Sequence, residues 1–135
     1  MLIAAGARPN IPDIPGLSEV NYYTSDTVMR VDELPESMAI LGGGFIAVEL
    51  GHVFASYGVN VTMYVRSGSL LRQQDADVSS TFTEIFGDRV NLRLNEVPSS
   101  ITNADGGPDA VTITSGDTAN AVSYTHLTLP TICSV

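Results

Sequence analysis

Apolar positions from residue 38 onward change between strand-like and helix-like spacing. The run MAIL (38–41) is continuously apolar and VNVTMYV (59–65) is rich in β-branched residues, and both patterns are typical of strands. Between them, 45–57 carries apolar and small residues at helical spacing, and Gly58 supplies a left-handed stop. The pattern therefore predicts one strand–helix–strand unit.

A second helix is expected after Asp75, whose side chain can cap its first turn. Its apolar residues recur at i, i+4, i+7 and i+8 and predict a single apolar stripe; they are Val78, Phe82, Ile85 and Phe86. A strand follows, because apolar and polar residues alternate from Val90 to Leu94. After a turn-rich loop at 103–109, the alternating segment VTIT predicts a half-exposed strand.

The first 37 residues have little periodicity. LIAA (2–5) is typical of the end of a buried strand, which Gly6 and the three prolines at 9, 12 and 15 interrupt. Thr24 and its neighbours Ser25 and Asp26 offer capping oxygens to a short helix ending near Asp32. We expect a proline-stiffened connector that carries one or two helical turns.

Composition narrows the possible functions. The chain has 135 residues and a formal charge of −9 with only six basic residues, which disfavours binding to nucleic acid. Its apolar runs are too short to span a membrane and its first residues do not resemble a secretory signal, so a cytoplasmic location is expected. The lone cysteine, Cys133, allows no internal disulfide or thiolate cluster, and no metal site is expected.

The segment ILGGGFIAVELG (40–51) has the spacing G-x-G-x-x-A-x-x-x-G between a strand and a helix. Gly42 permits a tight turn, Gly44 lets the backbone approach a pyrophosphate, and the small Ala47 allows close packing of helix on strand. The pyrophosphate would lie over the helix N-terminus. A flexible glycine loop is the alternative, but the flanking elements favour dinucleotide binding.

The end of the second strand indicates which dinucleotide is bound. Residues 64–72 (YVRSGSLLR) contain no carboxylate for a ribose 2′-hydroxyl, and Arg66 and Arg72 bracket a turn that includes Ser67. Guanidinium groups suit phosphate oxygens, so NADPH is favoured over NADH. The alternative is two solvated surface arginines.

Two further polar residues lie on the first helix. Glu49 either needs a partner or points toward solvent, and the spacing favours neither. His52 is expected to be a packing histidine rather than a catalyst.

With these motifs, residues 2–120 resemble the flavin-dependent pyridine nucleotide-disulfide oxidoreductases, the family of glutathione reductase and dihydrolipoamide dehydrogenase. The similarity is strongest in AAGARPNIPDIPG and LPESMAILGGGFIAVELGHVFASYGVNVT. The resemblance implies an α/β fold: an incomplete Rossmann-like NAD(P)-binding domain with a parallel sheet and a β-meander at 38–121. It also implies the edge of an FAD-binding domain at 1–20 and a connector at 21–37.

The resemblance also implies roles for single residues. Ala5 and Gly6 belong to the segment that closes the FAD domain, where threonine is commoner than Ala5. In the glycine turn, Gly43 and Ile46 join the cofactor-binding residues, and Phe45 occupies the gate over the nicotinamide pocket.

For the polar candidates the resemblance is specific. Glu49 matches the glutamate that pairs with a lysine beside the flavin. Arg66 and Arg72, with Ser67 between them, match the cations that bind the 2′-phosphate in glutathione reductase.

The cofactors implied are NADPH and FAD, and the reaction is reduction of a small-molecule disulfide. The redox cysteine pair and the His-Glu pair of the family are absent, so no catalytic residue is assigned. Within the family, YTSDTVMRVDELP is most similar to the mycothione-reducing branch; a dihydrolipoamide dehydrogenase or another flavoprotein is the alternative. The parent is expected to be a homodimer through a missing C-terminal domain, and the fragment alone to be inactive, noncatalytic or unstable.

The tail at 122–135 departs from the family pattern. VSYTHLTLPT is identical to the translation of a transposase-type sequencing adapter, so this tail is expected to be non-native and the chain a truncated fragment. On that hypothesis His126 and Cys133 carry no functional information. The alternative is a genuine strand, HLTLPTI.

Overall fold

The computed structural model describes residues 9–105, 109–122 and 125–127. Its helices are α1 Phe45–Ser56 and α2 Ala76–Gly87, and its strands are β1 Ser37–Leu41, β2 Asn60–Val65, β3 Asn91–Leu94, β4 Ser100–Asn103, β5 Val111–Ser115, β6 Thr118–Val122 and β7 Thr125–Leu127. Two 3-10 turns, Leu17–Glu19 and Val28–Arg30, precede them. The expected strand at 2–5 lies outside the described residues.

β1, β2 and β3 form a parallel sheet in the order β3-β2-β1-β7. β1 pairs with β2 from Ser37 opposite Asn60 to Leu41 opposite Tyr64, and α1 connects the two strands. This is the predicted strand–helix–strand unit. Because all pairs are parallel, the carboxyl ends of the strands meet at one edge of the sheet.

One face of the sheet packs against α1 and α2. The apolar side chains of this core include Met38, Ile40, Met63 and Val65 from the sheet and Ala47, Leu50, Phe54 and Phe86 from the helices. A Cβ built on Gly51 would lie 3.1 Å from the sulfur of Met63, so the absence of a side chain at Gly51 favours the close approach of α1 to the sheet. The small-residue spacing read from the sequence is thus used in helix-to-sheet packing.

The opposite face is covered by an antiparallel meander in the order β4-β5-β6 and by the proline-rich connector. Their shared core consists of Ile14, Leu17, Val20, Ala39, Leu41, Tyr64, Ile101, Val111, Ile113 and Val122. Gly16 (φ +84°) lies against the backbone of Ile101, which donates its N–H to Pro15 O over 2.9 Å. The molecule is therefore three layers, helices, parallel sheet and meander, and the predicted α/β fold is confirmed.

The short helix expected after Thr24 is present as a single 3-10 turn, Val28–Arg30, and ends before Asp32. Val28 N donates to Thr24 O over 2.9 Å, and Thr24 N donates to the hydroxyl of Thr27, also over 2.9 Å, so the segment closes as a turn before Val28–Arg30. Threonine side chains that bond nearby backbone groups compete with helix formation. The turn Leu17–Glu19 was not predicted; its Leu17 is buried, at 2% exposure.

The apolar stripe predicted for α2 is wrong in part. Val78 and Ile85 are 55% and 61% exposed, whereas Ser79 and Phe86 are buried. The buried face turns toward the preceding loop, because the Ser79 hydroxyl donates to Leu70 O over 2.6 Å. Hydroxyls that satisfy loop backbone thus determine the orientation of this helix, a feature that apolar periodicity does not report.

The tail contributes two described pieces. Val122 is the last residue of β6, and Thr125–Leu127 forms β7, which pairs parallel to β1 with Ile40 opposite His126. The predicted boundary between 121 and 122 therefore falls inside β6. Cys133 lies outside the described residues.

Neither helix in the described part of the chain is long and apolar enough to cross a membrane.

Removing the cap of α2 tests the local account of that helix. Asp75 Oδ1 accepts a hydrogen bond from Asp77 N over 3.0 Å. We expect Asp75→Ala to lower the free energy of unfolding by about 1 kcal/mol, and Asp75→Asn, which keeps a capping oxygen, to leave it nearly unchanged. Urea unfolding of the two variants measures the difference. Equal losses in both would contradict a capping role for Asp75.

Candidate functional site

A cleft of about 330 Å³ opens at the carboxyl ends of β1, β2 and β3. Three chain segments form its walls: the glycine turn at 42–47, the turn at 64–74 that follows β2, and 96–98 after β3. Asn10, Pro12 and Ile14 of the connector also line it. In parallel α/β sheets, ligands bind at this edge.

The glycine turn is fixed by contacts that require glycine. Gly42 has φ +136° and donates its N–H to Tyr64 O over 2.9 Å. A Cβ on Gly43 would lie 2.6 Å from Cγ1 of Val65, too close for any side chain. The same turn accepts a hydrogen bond from Leu71 N at Gly43 O over 2.8 Å, which ties it to the arginine-bearing turn.

The N-terminus of α1 faces the cleft without a side-chain cap. Gly44 is the N-cap residue, and the first intrahelical bond joins Val48 N to its carbonyl over 3.0 Å. The N–H groups of Phe45, Ile46 and Ala47 therefore have no acceptor within the helix. All three residues line the cleft, where these donors and the helix dipole favour an anion.

Arg66, Ser67 and Arg72 lie together on the second wall. Both arginines are exposed, and neither forms an ion pair with a residue that the structure describes. The Ser67 hydroxyl donates to Ser69 O over 2.8 Å, which holds the turn between them, and Leu71 adopts φ +50°. The structure thus brings the predicted cations to the cleft that contains the glycine turn.

Three further residues of α1 were singled out from the sequence. Phe45 is 59% exposed at the cleft. Glu49 is exposed and makes no ion pair with any described residue, so here its carboxylate points toward solvent; all six basic residues of the chain are arginines. His52 is exposed, and the expectation of a packing histidine is wrong. Ala5 and Gly6 lie outside the described residues.

Sequence reasoning missed Tyr64, which is 2% exposed and lines the cleft from β2. Its phenol oxygen accepts a hydrogen bond from Asn120 Nδ2 over 3.2 Å, joining the sheet to the meander. Burial raises the pKa of Tyr64; the Asn120 hydrogen bond and the charge of Arg93 act in the opposite direction, and the charge of Glu96 raises it further. The feature of the sequence that could have identified Tyr64 is its position near the end of a strand rich in β-branched residues.

Glu96 was also missed. Its carboxylate lies 3.9 Å from the guanidinium of Arg93, and each side chain is about one-third exposed, at 32% and 33%. Backbone bonds hold this corner of the cleft: Glu96 N donates to Val65 O and Asn95 N donates to Ser67 O, each over 3.1 Å. The corner after β3 is thereby attached to the corner after β2.

Among the described residues, no group of three or more His, Cys, Asp or Glu side chains is arranged to hold a metal ion.

A parallel sheet with a glycine turn, an uncapped helix N-terminus and a cleft at the carboxyl ends of its strands defines a dinucleotide-binding α/β protein. Residues 1–127 match the pyridine nucleotide-disulphide oxidoreductase family. The chain belongs to that family, and the resemblance seen in the sequence is confirmed.

Curated relatives include two kinds of reductase. The chain is 48% identical to mycothione reductase of Mycobacterium tuberculosis over 95 residues, which are 70% of this chain and 21% of that protein. It is 35% identical to mercuric reductase of Streptomyces lividans over 130 residues, 96% of this chain and 27% of that protein. The chain thus spans about a fifth to a quarter of the length of these relatives.

Solved structures of similar fold include a flavoprotein disulfide reductase and an NADPH oxidase. One is the HOCl-induced flavoprotein disulfide reductase RclA of Escherichia coli, with a TM-score of 0.82, 29% identity, and coverage of 92% of this chain and 28% of that one. Another is an engineered water-forming NADPH oxidase bound to NADPH, with a TM-score of 0.78, 25% identity, and coverage of 93% and 29%. The expected cofactor classes, FAD and NAD(P)H, are those of the family.

Two glycines of the turn should respond differently to alanine. Gly43→Ala places a methyl group 2.6 Å from Val65, so we expect it to lower the free energy of unfolding by about 1–3 kcal/mol. The methyl group added by Gly44→Ala would have no heavy atom within 4 Å, so we expect it to lower the free energy of unfolding by only about 0.5 kcal/mol. Urea unfolding compares the two; a larger loss for Gly44→Ala would contradict this geometry.

The pH dependence of stability should identify Tyr64. Burial raises its pKa in the folded state above the ordinary tyrosine value of 10.0, so its contribution to stability is fully present below pH 10 and is lost as pH rises through the folded pKa. Below that range Tyr64→Phe should cost about 1 kcal/mol, because the amide of Asn120 loses its acceptor.

Unfolding of wild type and Tyr64→Phe at about pH 8 and about pH 11 provides the measurement. The stability difference between them should shrink at the higher pH. The other tyrosines are shared by both proteins and cancel. A difference that is independent of pH would show that Tyr64 does not titrate as described.

Proposed function

We propose that this chain forms the NADPH-binding portion of an FAD-dependent disulfide reductase. The observation that carries the proposal is that a single cleft is lined by the free first-turn amides of α1 and by two exposed arginines. These groups offer several donors to a polyphosphate in a chain of net charge −9. The positive potential that would attract the ligand comes from these nearby groups rather than from the net charge of the chain.

In this proposal the diphosphate lies over the N-terminus of α1. Gly44 leaves the approach open, because a Cβ there would meet nothing within 4 Å and glycine presents only backbone. The N–H groups of Phe45, Ile46 and Ala47 donate to the phosphate oxygens. The adenosine ribose then extends toward the turn after β2, where Arg66 and Arg72 bind its 2′-phosphate.

The positions of five substitutions in an engineered NADPH oxidase of similar fold support binding of NADPH rather than NADH. The engineered NADPH oxidase carries five substitutions, Gly to Ala, Asp to Ala, Ala to Arg, Met to Ser and Pro to Arg, whereas the NADH oxidase from which it was made is described as bound to NADH. This chain has residues of the matching kinds at the same spacing: Ala47, Val65, Arg66, Ser67 and Arg72. The aspartate position is occupied by apolar Val65.

The flavin would supply the electron-accepting ring that receives hydride from the nicotinamide. In this chain Phe45, exposed on the first turn of α1, is positioned to cover the nicotinamide end of the cleft. The exposed Glu49, one turn further along α1, is free to pair with a lysine of a flavin-binding domain. Ala5 and Gly6 are assigned to that domain from the sequence alone.

The substrate proposed for the parent enzyme is mycothione, a small-molecule disulfide. The support is the 48% identity to a mycothione reductase over 95 residues. The family's redox cysteine pair, which would act on the substrate, has no counterpart in a chain with one cysteine. The parent would be a homodimer through its C-terminal domain, and residues 1–20, 21–37 and 38–121 would be the FAD-domain edge, the connector and the NADPH domain.

A second candidate is a mercuric reductase. Its support is that the similarity to the Streptomyces lividans protein extends over 130 residues, 96% of this chain, although at lower identity. Both candidates use the nucleotide site in the same way, so the site alone does not distinguish them.

Replacing both arginines by alanine tests the 2′-phosphate site. We expect Arg66→Ala/Arg72→Ala to weaken NADPH binding at least tenfold and to change NADH binding less than about twofold, since only NADPH carries the 2′-phosphate. Fluorescence titration of the reduced nucleotides measures both affinities.

The matched control is Arg30→Ala/Arg89→Ala, which removes two exposed arginines that do not line the cleft. It should leave the ratio of NADPH to NADH affinity unchanged. Equal losses of NADPH and NADH affinity in the cleft variant would overturn the proposed clamp, and absence of NADPH binding by the wild-type chain would overturn the proposed function.

A further inference from the structure

The third wall of the cleft is formed by Glu96, Val97 and Pro98, which follow β3. Glu96 N donates to Val65 O over 3.1 Å, so this wall is joined directly to the turn that carries the arginines. It is therefore adjacent to the proposed 2′-phosphate site. In NADPH, the group attached to the same ribose as that phosphate is the adenine base.

Two of the three residues suit the faces of a planar base. Val97 is 58% exposed although it is apolar, and Pro98 beside it is buried but lines the same cleft. Ligand sites typically combine apolar walls of this kind with a few polar groups that fix orientation. Covering the exposed side chain of Val97 with a base would remove apolar surface from water, which favours binding of the base there.

Glu96 is the polar group of this wall, and its hydrogen bonding is incomplete. Its carboxylate is 3.9 Å from Arg93, beyond hydrogen-bond distance, and within the described residues neither Glu96 Oε2 nor Arg93 Nε has a hydrogen-bond partner. A covered acceptor without a donor is costly, so a ligand that supplies one is favoured. The side chain is about one-third exposed and its last torsion is soft, so the carboxylate can turn to the cleft.

We propose that Glu96 selects the adenine base by accepting a hydrogen bond from its 6-amino group, with the neighbouring guanidinium of Arg93 helping to position the carboxylate. The inference rests on the proposed nucleotide site. Of the groups at this end of NADPH, the phosphate is repelled by a carboxylate and is bound by Arg66 and Arg72, whereas the amino group is a donor. A base with a 6-oxo group presents an acceptor to Glu96 and is rejected.

The test compares NADPH with its hypoxanthine analogue, deamino-NADPH, in which the 6-amino group is replaced by oxygen. Binding of both to the full 135-residue chain is measured by fluorescence titration for wild type, Glu96→Gln and Glu96→Asp. We expect wild type to bind NADPH at least tenfold more tightly than deamino-NADPH, because the latter places two acceptors together.

In Glu96→Gln the ratio should fall to about one, since an amide can donate to the 6-oxo group as well as accept from an amino group. Glu96→Asp, which keeps the charge on a shorter side chain, should give an intermediate ratio of about threefold. The ratio is used because loss of one negative charge raises the affinity for both anionic ligands equally.

Glu33→Gln is the matched control, because it removes an exposed carboxylate that does not line the cleft and should leave the tenfold ratio intact. An unchanged ratio in Glu96→Gln, or a wild-type ratio near one with tight NADPH binding, would overturn the role of Glu96 while the nucleotide site stands. Failure of the wild-type chain to bind either compound would overturn the nucleotide site itself.

Discussion

The parallel pairing of β1 with β2 is the constraint on which the site depends. It places the glycine turn after β1 and the arginine turn after β2 at the same edge, and the hydrogen bond from Gly42 N to Tyr64 O fixes their relative height. Gly43 then fits against Val65 because it lacks a side chain. Any slip of this register would separate the helix N-terminus from the cations that complement it.

The two faces of the parallel sheet have different roles in the fold. On one face, α1 and α2 bury the apolar side chains that stabilise the unit and aim the first turn of α1 at the cleft. On the other face, the meander and the connector enclose Tyr64, whose hydrogen bond to Asn120 joins the layers beneath the cleft. The chain is strongly acidic, yet the proposed ligand is an anion, so in the proposal binding rests on amides and arginines placed by this geometry rather than on net charge.

Much of this could be predicted from the sequence because its signals are local. The bounds of α1, the cap at Asp75 and the clustering of Arg66 with the glycine turn follow from spacing and from the rule for parallel sheets. The orientation of α2 could not be read, since it is set by the Ser79 hydroxyl bonding Leu70 O rather than by apolar residues. Glu96 was missed for a related reason: its place at the cleft arises from a backbone bond to Val65, 31 positions earlier in the chain.

The central claim is that the free amides at the start of α1 bind the diphosphate of NADPH. Amide NMR of the isotopically labelled chain during NADPH titration tests it directly. The account predicts that the largest shifts and the strongest new protection from exchange fall on Phe45, Ile46 and Ala47, with little change at the first turn of α2. Largest changes at α2, or none at the glycine turn while NADPH binds, would contradict it.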